Sequence, residues 1–123
     1  KYHSGGLWTN TCCGHPLNGE ATEDAAHRRL KEEMGFDCPL VELFAFIYKA
    51  DLDNNLTEHE FDHVFKGSYS GSVNPSPVEA DGFRWISLND VYKEIESDPG
   101  SYTVWAKIAL DKLHKYNVSL NNK

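Results

Sequence analysis

The sequence predicts one α/β (α+β) sandwich domain over residues 1–123, with a mixed β-sheet between helices. The prediction depends first on the order of the elements, which is β-α-β-β-β-α-α along the chain. It depends also on composition, because 40% of the 123 residues are hydrophobic. That fraction suffices for one core, and the length leaves no room for a second domain.

The first strand is predicted over Leu7–Cys13, an apolar and β-favouring run that is followed by the breakers Gly-His-Pro. A helix comes next, with Thr22 as its N-cap and Met34 near its end. Gly35 suits the left-handed position that terminates a helix. Apolar residues four apart predict the buried face of this helix: Ala26, Leu30 and Met34.

A β-hairpin is predicted in the middle of the chain. Its strands are Leu40–Ala50 and Glu58–Lys66, and Asp53-Asn54-Asn55 is the turn between them. The Gly, Ser, Asn and Pro residues of 67–82 predict a loop. A short strand is then expected over Gly82–Ile86.

Two helices complete the prediction. Ser87 with Asp90 resembles a capping box that opens a helix ending near Ser97. The last helix is expected to begin at Ser101, and the polar tail after Tyr116 is expected to fray. Its inner side is predicted from its apolar spacing: Val104, Trp105, Ile108 and Leu113.

Charge and composition exclude several classes of partner. With 12 Lys and Arg against 19 Asp and Glu, the net charge is −7, which disfavours nucleic acid and anionic membranes. The longest apolar run, Leu43–Tyr48, is too short to span a bilayer. An anionic small molecule would need a divalent cation or a few well-placed bases. We therefore expect a small-molecule partner. We also expect a monomer, although the charge pattern itself does not decide the oligomeric state.

The three cysteines, Cys12, Cys13 and Cys38, predict a reduced protein of the cytoplasm. Neighbouring cysteines rarely satisfy disulfide geometry, and an odd number leaves one thiol over. Because adjacent residues of a strand face opposite ways, Cys12 is expected to point into the core and Cys13 away from it.

The stretch that says most about function runs from Gly14 to Phe36. It reads G-x5-E-x7-R-R-L-x-E-E-x-G-F and resembles the Nudix box, G-x5-E-x7-R-E-U-x-E-E-x-G-U, in which U is a bulky apolar residue. Eight of the nine fixed positions match. Arg29, Glu32 and Glu33 lie three and four residues apart, so one helix face collects them. Carboxylate oxygens on that face suit Mg²⁺ bound to a diphosphate.

Arg29 is the position that departs from the pattern, because a Nudix hydrolase usually has a metal-binding Glu there. A fixed cation at this place removes a ligand and repels metal ions. The departure argues against hydrolysis by the usual Nudix route. A guanidinium is better suited to hold a phosphate oxygen.

The residues around the box resemble those of the type I isopentenyl-diphosphate isomerases. The segment Trp8–Pro16 reads WTNTCCGHP, Tyr48 is followed by Glu58-His59-Glu60, and Trp105 lies in the last predicted helix. The resemblance covers essentially the whole chain. It implies a Nudix fold and the interconversion of isopentenyl and dimethylallyl diphosphate, a step of isoprenoid biosynthesis. Such an isomerase needs a positioned acid, a base on the opposite face and shelter for a carbocation.

The resemblance also implies the roles of individual residues. A thiol, a carboxylate and a phenol carry the catalysis: Cys13, Glu60 and Tyr48. The residues that meet the diphosphate and the carbocation are Lys1, Arg29 and Trp105. One divalent ion, Zn²⁺, Mn²⁺ or Mg²⁺, is assigned to His15, Glu58 and Glu60, and a Mg²⁺ on the diphosphate is assigned to Glu33 and the Cys13 carbonyl. Two further histidines of the family come from an N-terminal segment, which we expect to be missing here.

Two alternatives stay open at this point. The first is a Nudix hydrolase that acts on a nucleoside diphosphate derivative, against which Arg29 and Cys13 argue. The second is a binding module that keeps the Nudix fold without catalysis. Product analysis with isopentenyl diphosphate and a phosphate-release assay separate the three.

Overall fold

The computed structural model describes residues 1–3, 6–52 and 56–121, and of His3 and residues 50–52 and 56–60 it describes the backbone alone. Within these ranges the chain forms three α-helices and two antiparallel pairs of strands. A parallel pairing in the same ranges is the isolated bridge between Trp8 and Tyr102. The predicted α+β class is confirmed. Among the described residues, none of the helices combines the length and hydrophobicity that a membrane span requires.

Helix α1 (Thr22–Met34) matches the predicted helix, and its two ends show why it stops where it does. The N-cap is Ala21, with extended φ −68° and ψ 149°, so Thr22 is the first helical residue and not the cap. At the other end Gly35 adopts φ 73°, the left-handed conformation predicted for it. Its amide donates to the Lys31 carbonyl over 3.1 Å.

The buried face of α1 is wider than the predicted stripe. Leu30 and Met34 are buried as expected, but Ala25 is buried in place of Ala26. Glu33 is buried as well, at 2% exposure. The core side of this helix therefore includes one charged residue beside the apolar ones, which the apolar pattern alone did not predict.

The predicted hairpin is confirmed as strands β2 (Leu40–Leu52) and β3 (Leu56–Gly67). Its predicted turn, residues 53–55, lies outside the described residues. The register pairs Tyr48 with Glu60, and it shifts once between Glu42 and Phe44. One face of the hairpin contacts the last helix through Phe44 and Tyr116, whose ring centroids are 5.2 Å apart.

The predicted strand over Leu7–Cys13 is wrong. Strand β1 is Tyr2–His3, and of the predicted segment Trp8 alone makes β-bridges, to Tyr2 and to Tyr102. The physical reason lies in Asn10, whose side-chain amide donates to the Cys12 carbonyl over 2.7 Å. A local side-chain bond of this kind competes with strand pairing and bends the chain.

Strand β4 is Ala80–Gly82. The sequence predicted a strand over Gly82–Ile86, so the observed strand ends at the residue where the predicted one begins. β4 pairs antiparallel with β1. The residues after Gly82 do not continue the strand pairing, and Arg84 makes side-chain contacts instead. Arg84 lies over the Trp8 ring, 4.1 Å from its centroid, and donates to the Tyr102 hydroxyl over 2.8 Å.

Helix α2 (Leu88–Ser97) confirms its predicted start, since the Ser87 hydroxyl accepts from the Asp90 amide over 3.2 Å. A 3₁₀ turn over Pro99–Ser101 follows it. Helix α3 (Val104–Asn121) starts three residues later than predicted, because Tyr102 is engaged in the bridge to Trp8.

Helix α3 also extends beyond its predicted end at Tyr116. The ring of Tyr116 packs on the hairpin, which stabilises the last turns and accounts for the error. The inner side differs from the expectation in part: Ala106 is fully buried, whereas Val104 is 49% exposed. The core between the helices and strands consists of these buried apolar residues: Ala25, Leu30, Met34, Tyr48, Ala80, Val91, Tyr102 and Ala106.

Candidate active site

A buried carboxylate, that of Glu33 on α1, organises the candidate site. Its Oε1 accepts from the Lys1 ammonium over 2.7 Å and from the Arg29 guanidinium over 3.0 Å. Its Oε2 accepts from the backbone N–H of Cys13 over 2.9 Å. Three of the residues predicted for the site from the sequence, together with Glu33 itself, are therefore brought together.

Lys1 reaches Glu33 because the chain folds back on itself. The backbone nitrogen of Lys1 donates to the Thr9 carbonyl, and the Thr9 amide donates to the Lys1 carbonyl, each over 2.9 Å. The side chains of Lys1 and Glu33 are each 2% exposed. A charge that is buried to this degree needs an opposite charge beside it, and this pair supplies one.

Arg29 connects Glu33 with two further carboxylates. Its guanidinium donates to Glu79 over 3.1 Å and, through its other terminal nitrogen, to Glu32. Burial opposes the charged form, but the bonds to Glu32 and Glu79 outweigh it and raise the pKa of Arg29. The position that departs from the Nudix box therefore carries a permanent cation between three acidic groups.

Gly14, the first residue of the box, is required by the path of the Arg29 side chain. A Cβ built on Gly14 would lie 2.7 Å from both Cγ and Nε of Arg29. Cγ lies in the aliphatic part of the side chain and Nε belongs to the guanidinium, so a Cβ here would displace the charged group. In this chain a larger residue than Gly at position 14 is therefore not compatible with the observed path of Arg29.

Two other residues of the box, Glu20 and Arg28, support the loop that precedes α1. Glu20 accepts from the Leu17 amide and from Nε of Arg28, each over 2.9 Å. Arg28 also donates to the His15 carbonyl over 3.0 Å. The bond from Arg28 lowers the pKa of Glu20. These contacts fix the loop between Gly14 and α1, and they assign both residues a structural role.

The two neighbouring cysteines differ in exposure, but the described residues around them do not form the strand that was expected to point Cys12 into the core, and Cys12 lies outside the core. Cys12 is half-buried and Cys13 is exposed. Loss of hydration raises the pKa of Cys12 to about 12, and the charge of Glu33 adds to this effect. Loss of hydration and then Glu33 also raise the pKa of Cys13. Both groups are therefore neutral thiols at physiological pH, and Cys13 is the more accessible one.

The remaining predicted site residues occupy different elements. Tyr48 is 1% exposed on β2, and the Trp105 indole nitrogen is buried in the first turn of α3. His15 is exposed in the loop before α1. Glu60 is known from its backbone, which pairs with Tyr48 across the hairpin.

The predicted metal ligands lie only partly among the side chains that the structure describes. Among those side chains, no group of three or more His, Cys, Asp or Glu residues is placed to hold an ion. The side chains of Glu58 and Glu60 lie outside the description. The ligand set of His15, Glu58 and Glu60 stays a prediction. The carboxylate of Glu33 is a hard donor of the type that Mg²⁺ takes, but both its oxygens already accept hydrogen bonds.

Sequence reasoning missed Glu79. This residue lies in the loop before β4, far from the box in sequence, and nothing in the local pattern distinguishes it from an ordinary surface carboxylate. In the fold it accepts from Arg29, and that bond lowers its pKa. Its position follows from the pairing of β1 with β4, which the sequence pattern did not predict.

The chain is similar to one protein family and to several curated proteins. A family model described as the NUDIX domain matches residues 1–106. The isopentenyl-diphosphate Delta-isomerase 2 of Aromatoleum aromaticum is 47% identical over 113 residues, covering 92% of this chain and 60% of that protein. The enzyme of the same name from Photorhabdus laumondii subsp. laumondii is 52% identical, covering 92% and 64%. The isopentenyl-diphosphate Delta-isomerase of Burkholderia multivorans is 46% identical, covering 91% and 64%.

The chain spans about three-fifths of the length of these curated relatives. The match to the family model covers most of the chain, and it includes the loop and helix in which Gly14, Glu20, Arg28 and Glu33 make their contacts. On this ground the chain belongs to the Nudix domain family.

Proposed function

We propose that this protein is an isomerase that interconverts isopentenyl and dimethylallyl diphosphate. The observation that carries the proposal is the contact of Arg29 and Lys1 with Glu33, whose other oxygen holds the amide of Cys13. Two cations suited to a diphosphate thus adjoin a residue with a protonated thiol. The curated relatives bear the name of this isomerase, which supports the same proposal.

The charges of the site support a substrate that arrives with a divalent cation. Lys1, Arg28 and Arg29 contribute three positive charges, and the carboxylates that they contact, those of Glu20, Glu32, Glu33 and Glu79, contribute four negative ones, which leaves −1 (3 − 4). An anion alone is disfavoured by this balance, whereas a diphosphate with Mg²⁺ brings its own counter-charge. When the substrate binds, Lys1 and Arg29 exchange their hydrogen bonds to carboxylates for hydrogen bonds to phosphate oxygens.

The isomerisation adds one proton to the terminal alkene carbon, which leaves a tertiary carbocation, and removes another from the CH2 group on the other side of the cationic carbon. In this proposal Cys13 and Glu60 handle these protons from opposite faces of the substrate. The raised pKa of Cys13 keeps the sulfur protonated at neutral pH, as a donor requires. Tyr48, whose backbone pairs with that of Glu60, is proposed to hydrogen-bond Glu60 or the thiol and so to tune its proton transfer.

We propose the metal ions from the chemistry of the residues that would bind them. His15, Glu58 and Glu60 offer one imidazole and two carboxylates, a set that suits Zn²⁺, Mn²⁺ or Mg²⁺. Members of this isomerase family use a divalent metal. Glu33 and the Cys13 carbonyl are proposed to hold Mg²⁺ on the diphosphate, where the ion neutralises phosphate charge. Trp105 is proposed to offer its ring face to the carbocation, which is worth about 1–2 kcal/mol in a dry site.

The proposal is tested by incubating the protein with isopentenyl diphosphate and Mg²⁺ in deuterated water and observing the product by NMR. We expect dimethylallyl diphosphate that carries solvent deuterium. The Cys13→Ala variant should lose this activity, and Cys12→Ala, its matched control, should keep most of it. Release of inorganic phosphate without isomerisation would instead indicate a hydrolase. The monomeric state and cytoplasmic location remain predictions from the sequence.

A further inference from the structure

The peptide bond between Cys12 and Cys13 is held at both of its polar atoms by side chains. Its carbonyl accepts from the side-chain amide of Asn10 over 2.7 Å, and its N–H donates to the Glu33 carboxylate over 2.9 Å. A peptide group fixed on both sides cannot rotate about its own axis without losing a hydrogen bond. The direction in which Cys13 leaves the backbone is therefore set by Asn10 and Glu33 together.

The Asn10 side chain is itself oriented by two threonines, one adjacent in sequence and one at the start of α3. Its Oδ1 accepts from the Thr9 hydroxyl over 2.9 Å, and that hydroxyl accepts from the Thr103 hydroxyl over 3.1 Å. Thr9 is 7% exposed and Thr103 is 2% exposed. Hydroxyls buried to this degree keep their partners because water is not there to replace them. The acceptor role of Oδ1 toward Thr9 also assigns the other end of the amide as the donor.

Thr103 joins this set of bonds to α3. Its hydroxyl accepts from the Ala106 amide over 3.2 Å and so caps the helix whose first turn carries Trp105. Its backbone amide donates to the Trp8 carbonyl over 2.9 Å. The segment that carries Cys13 and the helix that carries Trp105 are thus connected through three short polar side chains.

We propose that Asn10 is a positioning residue, which orients the Cys13 thiol through the Cys12–Cys13 peptide and is itself oriented by Thr9 and Thr103. This inference rests on the proposed isomerase activity for its catalytic consequence. In this proposal the three residues act through the Cys12–Cys13 peptide and not by contact with the substrate. Their effect is to reduce the angles that the thiol samples, which matters because misplacement of a catalytic group by about 1 Å can cost on the order of a hundredfold in rate.

The test compares Asn10→Ala with Asn89→Ala, which removes an exposed Asn from α2. Amide hydrogen exchange measured by NMR should show that protection of the Cys13 amide falls at least about tenfold in Asn10→Ala, while amides in α1 keep theirs. The kcat for isomerisation should fall about tenfold or more, with KM within about twofold, since Lys1 and Arg29 remain. Asn89→Ala should change none of these quantities.

A second pair of variants keeps the test decisive if Asn10→Ala does not fold. Thr103→Val removes the hydroxyl, and Thr103→Ser retains it. We expect the serine variant to restore both Cys13 amide protection and kcat relative to the valine variant. A parallel loss of protection throughout the protein, or unchanged Cys13 protection in the valine variant, would overturn the inference. Hydrogen exchange reports on the peptide even where no isomerisation occurs, so failure of the proposed function is seen separately.

Discussion

Replacement of Glu33 by Gln tests the centre of the site directly. The change keeps the shape of the side chain and removes its charge, so the Lys1 ammonium loses its ion-pair partner in a place where it is 2% exposed. The bond from Arg29 weakens for the same reason, and one end of the new amide presents N–H groups to N–H donors. We expect a large loss of stability, because a buried charge without its partner is costly.

The magnitude is set by the geometry of the pair. Unit charges 2.7 Å apart attract each other by about 6 kcal/mol at an effective dielectric constant of about 20. Desolvation offsets part of this, and removal of one partner of a buried pair typically costs about 3–5 kcal/mol. We expect the low end of that range, about 3 kcal/mol, because Glu79 is close enough for the charge of Lys1 to lower its pKa. For a domain of this size the loss corresponds to a Tm lower by about 12 °C.

A double-mutant cycle separates the ion pair from other effects of the substitution. Urea unfolding is measured for Glu33→Gln, Lys1→Met and the double variant, with Glu96→Gln on the exposed side of α2 as the control. The double variant should be more stable than the sum of the single changes predicts, by about 2 kcal/mol, because no unpaired charge remains. The control should lie within about 0.5 kcal/mol of the parent. Additive single effects, or a loss below about 1 kcal/mol in Glu33→Gln, would refute this account of the site.

Three further changes test other parts of the site. Gly14→Ala should displace the guanidinium of Arg29, whose Cγ would lie 2.7 Å from the new Cβ, and weaken diphosphate binding about tenfold by calorimetry. Gly35→Ala should lower stability by about 2 kcal/mol in urea unfolding, since its φ is 73° and its Cβ would lie 2.7 Å from the Asn74 carbonyl oxygen. Glu20 has a lowered pKa in the fold, so its contribution is present above its ordinary pKa and is lost as the pH falls through the lower folded value. In Glu20→Gln, the dependence of Tm on pH between about 3 and 6 should accordingly be weaker than in the parent.

A shared control serves the two glycine variants. Gly100→Ala places a Cβ where no atom lies within 4 Å and where φ is not positive, so it should leave stability and binding unchanged. Diphosphate affinity unchanged in Gly14→Ala would show that Arg29 is not needed at its present position. Parallel Tm curves for Glu20→Gln and the parent would show that the bond from Arg28 does not stabilise the loop.

The parts of the fold that sequence predicted well are those in which local rules coincide with the packing. Helix α1 ends at Gly35 because a residue with φ 73° both terminates a helix and favours glycine. The start of α2 follows from the hydroxyl of Ser87, which bonds three residues ahead. The hairpin was found because both of its strands are long and β-favouring.

The errors concern segments whose partners are distant in the chain. Leu7–Cys13 has strand composition, yet Trp8 finds its partners at Tyr2 and Tyr102, and the Asn10 side chain bends the backbone between Asn10 and Cys12. Tyr102 in turn delays the start of α3, since its bridge to Trp8 is not compatible with helical geometry. Pairing of this kind is set by the whole fold, and no pattern within one segment contains it.

The candidate site was predicted where a motif with long fixed spacing specified it. The box located Arg29 and Glu33, and the resemblance of the flanking segment located Lys1 and Cys13, all of which meet in the structure. Glu79 was not predicted because its link to Arg29 spans fifty residues of chain and depends on the placement of β4.

The exchange of an acidic position of the box for Arg29 alters what this helix can hold. With Glu at that position, the same cluster would contain two cations and five carboxylates, a charge of −3 (2 − 5), which favours several divalent ions. With Arg29 the charge is −1 (3 − 4), and the guanidinium occupies the space between Glu32, Glu33 and Glu79. Fewer metal charges are needed to balance the site, and the guanidinium can donate to a phosphate when it exchanges its bonds to these carboxylates. We therefore propose that the Nudix helix of this chain serves to hold a diphosphate and not to assemble the metal cluster that would cleave one.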